Sequence, residues 1–143
     1  MVALDTNILV YAHRAGDARH RRAVSIVRHA SQHPRGWGMA LPVVAEFWRV
    51  VTHPRAPGGA ATFDQADGFL QALADAGAAC WQPLPGFDRR LIAWAGRLGV
   101  TDRGIFDLQI GLMAQEAGAT RLLSHDREFI TVPGLELLDP FGE

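Results

Sequence analysis

At 143 residues with a net charge of −1, the chain is long enough for one domain with a substantial buried core, and its overall charge selects neither an anionic nor a cationic partner. Its single cysteine, Cys80, excludes an internal disulfide or a cysteine metal cluster, and the neighbours Ala78, Ala79 and Trp81 predict a buried, unreactive thiol. The N-terminus lacks the basic flank of a signal peptide and no stretch nears the ~18 apolar residues of a membrane span, so a soluble cytoplasmic protein is expected.

The apolar run Val2 to Leu4 predicts a short buried strand, after which Asp5 or Thr6 caps a helix reaching about Arg14. Asp17 is placed to cap a second helix toward His33, and Gly36 to Leu41 reads as a strand. Pro42, at a favoured first helical position, opens VVAEFWRVV, which Pro54 ends; HPRAPGGAAT is the most loop-like segment. Thr62 begins an amphipathic helix to about Ala76, Cys80 to Leu84 reads as a strand, and Gly86 to Leu98 is helical again. A helix from Ile105 to Gly118, a strand from Arg121 to Ser124, a turn at Asp126 to Phe129 and a strand near Leu135 to Leu138 complete the chain. Short strands alternating with helices specify an α/β domain: a mostly parallel central sheet with helices on both faces. There is no repeat and no linker long enough to divide residues 1–143.

In such sheets function gathers at the carboxyl ends of the strands. Asp5 follows the first strand, and Ser124, His125 and Asp126 follow TRLLS; Glu46 and Asp107 lie in the apolar helices PVVAEFWRVV and GIFDLQIGLM. Each acid has an ordinary structural role open to it. Asp5 and Asp126 can cap helices, Glu46 can pair with Arg49, and Asp107 can sit exposed in a first helical turn. Brought to one sheet edge, however, the four would repel unless a divalent cation lay between them, and an oxygen-only set favours Mg²⁺ or Mn²⁺ over Zn²⁺. Asp102, in LGVTDRGIF, is a lesser alternative to Asp107 and a candidate helix cap.

LDTNILVY, then EF within an apolar helix, then the pattern from Asp107 to Ala119, then LLSHDREF together resemble the PIN domain of VapC-type toxins of bacterial toxin–antitoxin pairs, over essentially the whole chain. The resemblance implies a single PIN-like domain over residues 1–143 and a Mg²⁺- or Mn²⁺-dependent endoribonuclease that hydrolyses RNA phosphodiesters through metal-activated water. By position it assigns metal binding and catalysis to Asp5, Glu46, Asp107 and Asp126, with Thr6 and Ser124 in support; the family more often has Thr at the last position, and a hydroxyl is kept. It also implies a cognate antitoxin, whose Arg competes for the acidic pocket, and a homodimer for which FLQALADAG and LIAWAGRLG offer apolar faces.

One or two metal ions, about 4 Å apart if two, would leave products with a 5′ phosphate and a 3′ hydroxyl. No His is needed as a base: His125 is expected at the rim or in packing, and the other five at the surface. RNA needs cations around an acidic centre, and the Arg-rich stretch from His13 to Arg35 supplies Arg14, Arg19, Arg21 and Arg22, joined by Arg55 in the loop. The four Trp suit the core or a dimer face better than base stacking.

Rival readings meet specific obstacles. A phosphoryl-accepting receiver needs a Lys and the chain has none; a haloacid-dehalogenase-like phosphatase needs D-x-D where Asn7 stands; no Gly-rich nucleotide loop follows a strand. A PIN-like RNA- or protein-binding module without cleavage is the remaining alternative, and the presence of all four acids disfavours it.

Overall fold

The computed structural model describes residues 1–142, so that Glu143, part of the acid-rich end, lies outside the described residues. In chain order the elements are β1 (Val2–Leu4), α1 (Thr6–His13), α2 (His20–Ser31), β2 (Trp37–Ala40), α3 (Leu41–Val51), α4 (Phe63–Asp75), β3 (Ala79–Trp81), α5 (Phe87–Leu98), α6 (Gly104–Glu116), β4 (Arg121–Leu123) and β5 (Glu136–Leu138). The strands form one sheet in the order β3-β2-β1-β4-β5, and every neighbouring pair is parallel.

Burial of the central strands accounts for the helices on both faces. Consecutive strand side chains point to opposite faces, yet Val2, Ala3 and Leu4 are all buried, as are Trp37, Gly38, Met39 and Ala40. Only a sheet covered on both sides does this. The core of Leu4, Ile8, Leu9, Phe47, Leu108, Leu112 and Leu122 joins the central strand β1 to α1, α3, α6 and β4. Gly38 is required where β2 meets β3, because a Cβ there would collide with the Ala79 carbonyl.

Local signals set most boundaries. Thr62 and Gln65 form a reciprocal capping box at the start of α4, with Thr62 Oγ1 accepting from Gln65 N at 3.1 Å and Gln65 Oε1 from Thr62 N at 2.9 Å. Pro42 occupies the first turn of α3, and Gly99, at φ 68°, closes α5 in the left-handed conformation.

Three expectations are corrected. Asp17 does not open α2: its carboxylate accepts from Arg19 N at 2.8 Å in a local turn, and the helix starts at His20. Strand β3 stops at Trp81 instead of reaching Leu84, as Pro83 and Pro85 carry no N–H to continue pairing. Cys80 is exposed, because β3 is an edge strand with β2 as its one neighbour among the described strands.

The strand order also fixes a crevice. From β1 the chain moves out to β2 and β3, then returns to place β4 on the opposite side of β1. Connections leaving β1 and β4 therefore diverge, opening a cleft over their carboxyl ends. Register pairs Leu4 with Leu123, so the residues that follow, Asp5 and Ser124, meet at its floor.

Candidate metal centre

Asp5 is buried at this switch point and held by three bonds. Its N–H donates to Leu123 O at 3.0 Å, its Oδ1 accepts from Thr6 N at 2.7 Å and its Oδ2 accepts from Ser124 Oγ at 2.7 Å. Thus Asp5 does cap α1, as its sequence position allows, while still presenting its carboxylate to the cleft.

Ser124 is fully buried, and its hydroxyl also accepts from Asn7 Nδ2 at 3.2 Å and Asp126 N at 3.0 Å. Asn7 Oδ1 accepts from His125 N at 3.1 Å, so the Asn side chain ties the start of α1 to the segment after β4. Asn7 was not assigned a role by its sequence; its place in the DTN triplet was the available signal.

The four acids from distant parts of the chain border one pocket. Asp5, Glu46, Asp107 and Asp126 line it together with Thr6, Asn7, Val10, Tyr11, Val50, Phe106 and Ile110, in a cavity of ≈ 280 Å³. Glu46 reaches it from α3 and is exposed, with Arg49 Nη2 at 4.0 Å on its other side, a solvent-screened pair of little energetic weight. Asp107 is half-buried in the first turn of α6, where Ile130 N–H approaches Oδ2 at 3.5 Å. Asp126 is exposed, its Oδ1 accepting from Glu128 N at 2.9 Å. Asp102 is exposed in a left-handed conformation at φ 53° and is absent from the pocket lining; it does not cap α6, whose cap is Arg103.

Electrostatics show that the acids sense one another. Burial pushes Asp5 up to about 6; the bonds from Ser124 and Thr6 pull it down, and the charges of Glu46 and Asp107 push it up again. Asp107 is also raised, first by burial and then, against the Ile130 N–H, by Asp126 and Glu46.

This donor set fits a hard divalent cation. It is all oxygen, its acids gain from a positive charge placed among them, and Thr6 Oγ1 is buried without a hydrogen-bond partner beside Asp5. Among the described residues no three His, Cys, Asp or Glu side chains stand close enough to enclose a metal by themselves. An open arrangement of this kind suits Mg²⁺, which keeps several waters and binds through a few carboxylates plus phosphate oxygens.

The surroundings sort the remaining candidates. Arg14 and Arg19 line a second cavity of ≈ 960 Å³, with Gly58, Gly59 and the start of α4 on its far wall. It adjoins the acidic pocket, since α1 gives Tyr11 to one and His13 to the other, and α3 gives Val50 and Val51. The Arg19 guanidinium lies 5.0 Å over the Tyr11 ring. Arg22 is committed to the C-terminal segment, donating to Pro140 O from Nε and Nη2 at 3.1 and 3.0 Å, whereas Arg21 and Arg55 are exposed.

His125 has the packing role expected of it: Nδ1 lies 3.1 Å from Asp139 Oδ1, and its ring meets Tyr11 and Phe141 edge-on. Asp139, which no motif singled out, also accepts from Arg127 Nε and Phe141 N. Two other histidines are not the surface residues expected. His13 packs edge-on against the stacked rings of Phe47 and Phe69, and His20 Nδ1 lies 3.0 Å from Tyr11 O.

Comparison with known proteins agrees with this fold. The solved structure of VapC20, a sarcin-ricin loop cleaving toxin of Mycobacterium tuberculosis, superposes with a TM-score of 0.67 at 16% identity, covering 90% of this chain and 92% of that one. VapBC2 of Rickettsia felis, solved bound to a DNA fragment from its promoter, contains a chain that superposes with a TM-score of 0.63 at 19% identity, covering 96% and 98%. No curated protein matches the sequence significantly. The PIN domain family matches residues 2–135, nearly the whole length, and the chain belongs to that family.

Proposed function

We propose that this protein is a Mg²⁺- or Mn²⁺-dependent endoribonuclease and the toxic component of a type II toxin–antitoxin system. The observation that carries the reading is the convergence of Asp5, Glu46, Asp107 and Asp126 on one pocket at the switch point of a PIN sheet. The fold likeness to the VapC toxins of M. tuberculosis and R. felis supports the toxin assignment.

Asp5, Glu46, Asp107 and Asp126, which line the pocket together, would hold the cation. When bound, it supplies the Lewis acidity that phosphodiester hydrolysis needs at neutral pH. The chain's own contribution is preorganisation. Ser124 Oγ and Thr6 N–H fix both oxygens of Asp5, Glu128 N–H orients Asp126, and Ile130 N–H faces Asp107. Asn7 locks the two loops against each other, so the acids cannot drift apart to relieve their repulsion. Arg14 and Arg19 border the adjoining cavity and supply cations for the RNA backbone, joined by the exposed Arg21 and Arg55, whereas Arg22, also expected from the sequence to contact RNA, is held by Pro140 O.

A cognate antitoxin fits the same acids, since a guanidinium forms bidentate bonds with carboxylates and competes with a cation. A homodimer is part of the reading: α5 buries only Phe87, and Ile92 and Leu98 stand exposed on it. Action in the cytoplasm accords with the absence, among the described residues, of any helix long and apolar enough to cross a membrane.

RNA cleavage by wild type and Asp5→Asn, in Mg²⁺ or Mn²⁺ and in EDTA, tests the proposal. Cleavage by wild type alone, abolished by EDTA and yielding 5′-phosphate ends, is expected. Equal cleavage by both proteins would refute the site. RNA binding with no cleavage by either, over many substrates, would favour the non-cleaving binding module.

A further inference from the structure

Among the described residues six large apolar side chains stand exposed: Leu41, Phe63, Leu84, Ile92, Leu98 and Phe106. Phe63 stacks on Trp48 at 5.7 Å, and the other four are aliphatic. Phe106 differs in position. It is 63% exposed, it precedes Asp107 in the first turn of α6, and it borders the pocket of the four acids. Among the described residues its ring makes no contact with another aromatic ring or with a guanidinium.

Tyr11, the other aromatic on this pocket, is held in place by Arg19, by His125 at 6.1 Å and by Phe141 at 5.5 Å. One ring on this pocket is thus fixed, and the other stands largely open to solvent. Leaving a Phe uncovered forgoes its burial energy, and beside carboxylates the ring gains nothing from local charge. A flat apolar surface next to a phosphate site has one natural complement in a nucleic acid, the base attached to the adjoining ribose.

We propose that Phe106 is the stacking platform for the nucleobase flanking the scissile phosphate, an inference that rests on the ribonuclease reading above. Stacking exploits the π-face common to all bases, so Phe106 adds affinity and positions the strand without dictating sequence. A phenyl ring has no polar atom with which to read a base edge. Purines, with the larger face, benefit most.

The test uses an RNA substrate chosen from sites that wild type cuts in a random-sequence pool, made in two forms: intact, and with an abasic nucleotide beside the cleaved bond. Phe106→Ala is expected to lower kcat/KM on intact RNA roughly five- to hundredfold, chiefly through KM, with Phe106→Trp near wild type. The abasic substitution should cost wild type a similar factor and Phe106→Ala almost nothing, since the two changes remove one contact. Equal losses for both proteins on abasic RNA, or wild-type kinetics for Phe106→Ala, would overturn the proposal. So would a Phe106→Ala protein that dissociates into monomers where wild type sediments as a dimer, because the ring would then belong to a subunit interface. Failure of wild type to cut any RNA would instead refute the ribonuclease reading and this inference with it.

Discussion

Asp5→Asn should abolish cleavage and yet make the metal-free protein more stable. Folding raises the Asp5 carboxyl from 3.8 to about 6 through burial and the charges of Glu46 and Asp107. Roughly two pKa units at about 1.4 kcal/mol each penalise the ionised folded form by about 3 kcal/mol well above pH 6. The sign follows from proton uptake. Between 3.8 and about 6 the folded protein holds a proton that the unfolded chain has released, so this penalty disappears as pH falls through that window. Asn carries no charge and keeps the acceptor for Thr6 N–H, but it turns an amide toward Ser124 Oγ, whose own proton then lacks its acceptor; the loss is about 1 kcal/mol. The net gain is about 2 kcal/mol at pH 8 in EDTA, or roughly 4–8 °C in Tm, and close to nothing or slightly negative near pH 4. Urea titrations of both proteins at the two pH values measure it. Saturating Mg²⁺ should stabilise wild type and leave Asp5→Asn unmoved. A variant less stable than wild type at pH 8, with an unchanged m-value, would refute the reasoning, since the buried charge would then not be a burden.

Ser124→Ala deletes one donated and two accepted hydrogen bonds from a fully buried hydroxyl and should cost about 2–4 kcal/mol in urea denaturation, with Ser124→Thr retaining most of the stability. The same variant removes a bond that holds Asp5 down, so the Asp5 titration followed by NMR should move above its wild-type position. Burial pushes Asp139 up, but bonds from His125, Phe141 N–H and Arg127 outweigh it and hold the carboxyl at about 2. A depressed acid stabilises the fold above its unfolded pKa and ceases to do so as pH falls, so Asp139→Asn should flatten the acid limb of the stability profile between about pH 4 and 2. Thr62→Ala breaks the capping box on α4, and urea denaturation should show a loss of about 1 kcal/mol of stability.

Much of this fold was legible because its signals are local. Thr62 with Gln65, Pro42 and Gly99 each act within one helical turn, and strand–helix alternation implies a parallel sheet with a switch point. Burial was less legible, because it depends on what the fold lays over a residue. The apolar company of Cys80 suggested a core thiol, yet β3 lies at an edge; His13 looked like surface, yet the fold sets it edge-on against Phe47 and Phe69. Among the acids, sequence marked positions at strand ends and within apolar helices, while their meeting required the full strand order. Asn7 and Asp139 went unassigned for the same reason: Asn7 works against Ser124, 117 residues away, and Asp139 against a histidine and an arginine across a loop. The Arg-rich stretch was plain, but only the fold distinguishes Arg14 and Arg19, which border a cavity, from Arg22, which ties down Pro140.

A crystal equilibrated with Mn²⁺ and measured at the manganese absorption edge tests the central claim most directly. The account predicts an anomalous peak in the pocket, about 2 Å from a carboxylate oxygen of Asp5 and of Asp107 or Asp126, that is lost in Asp5→Asn. A saturating soak that leaves this pocket without a peak, or an equally strong peak there in Asp5→Asn, would contradict it.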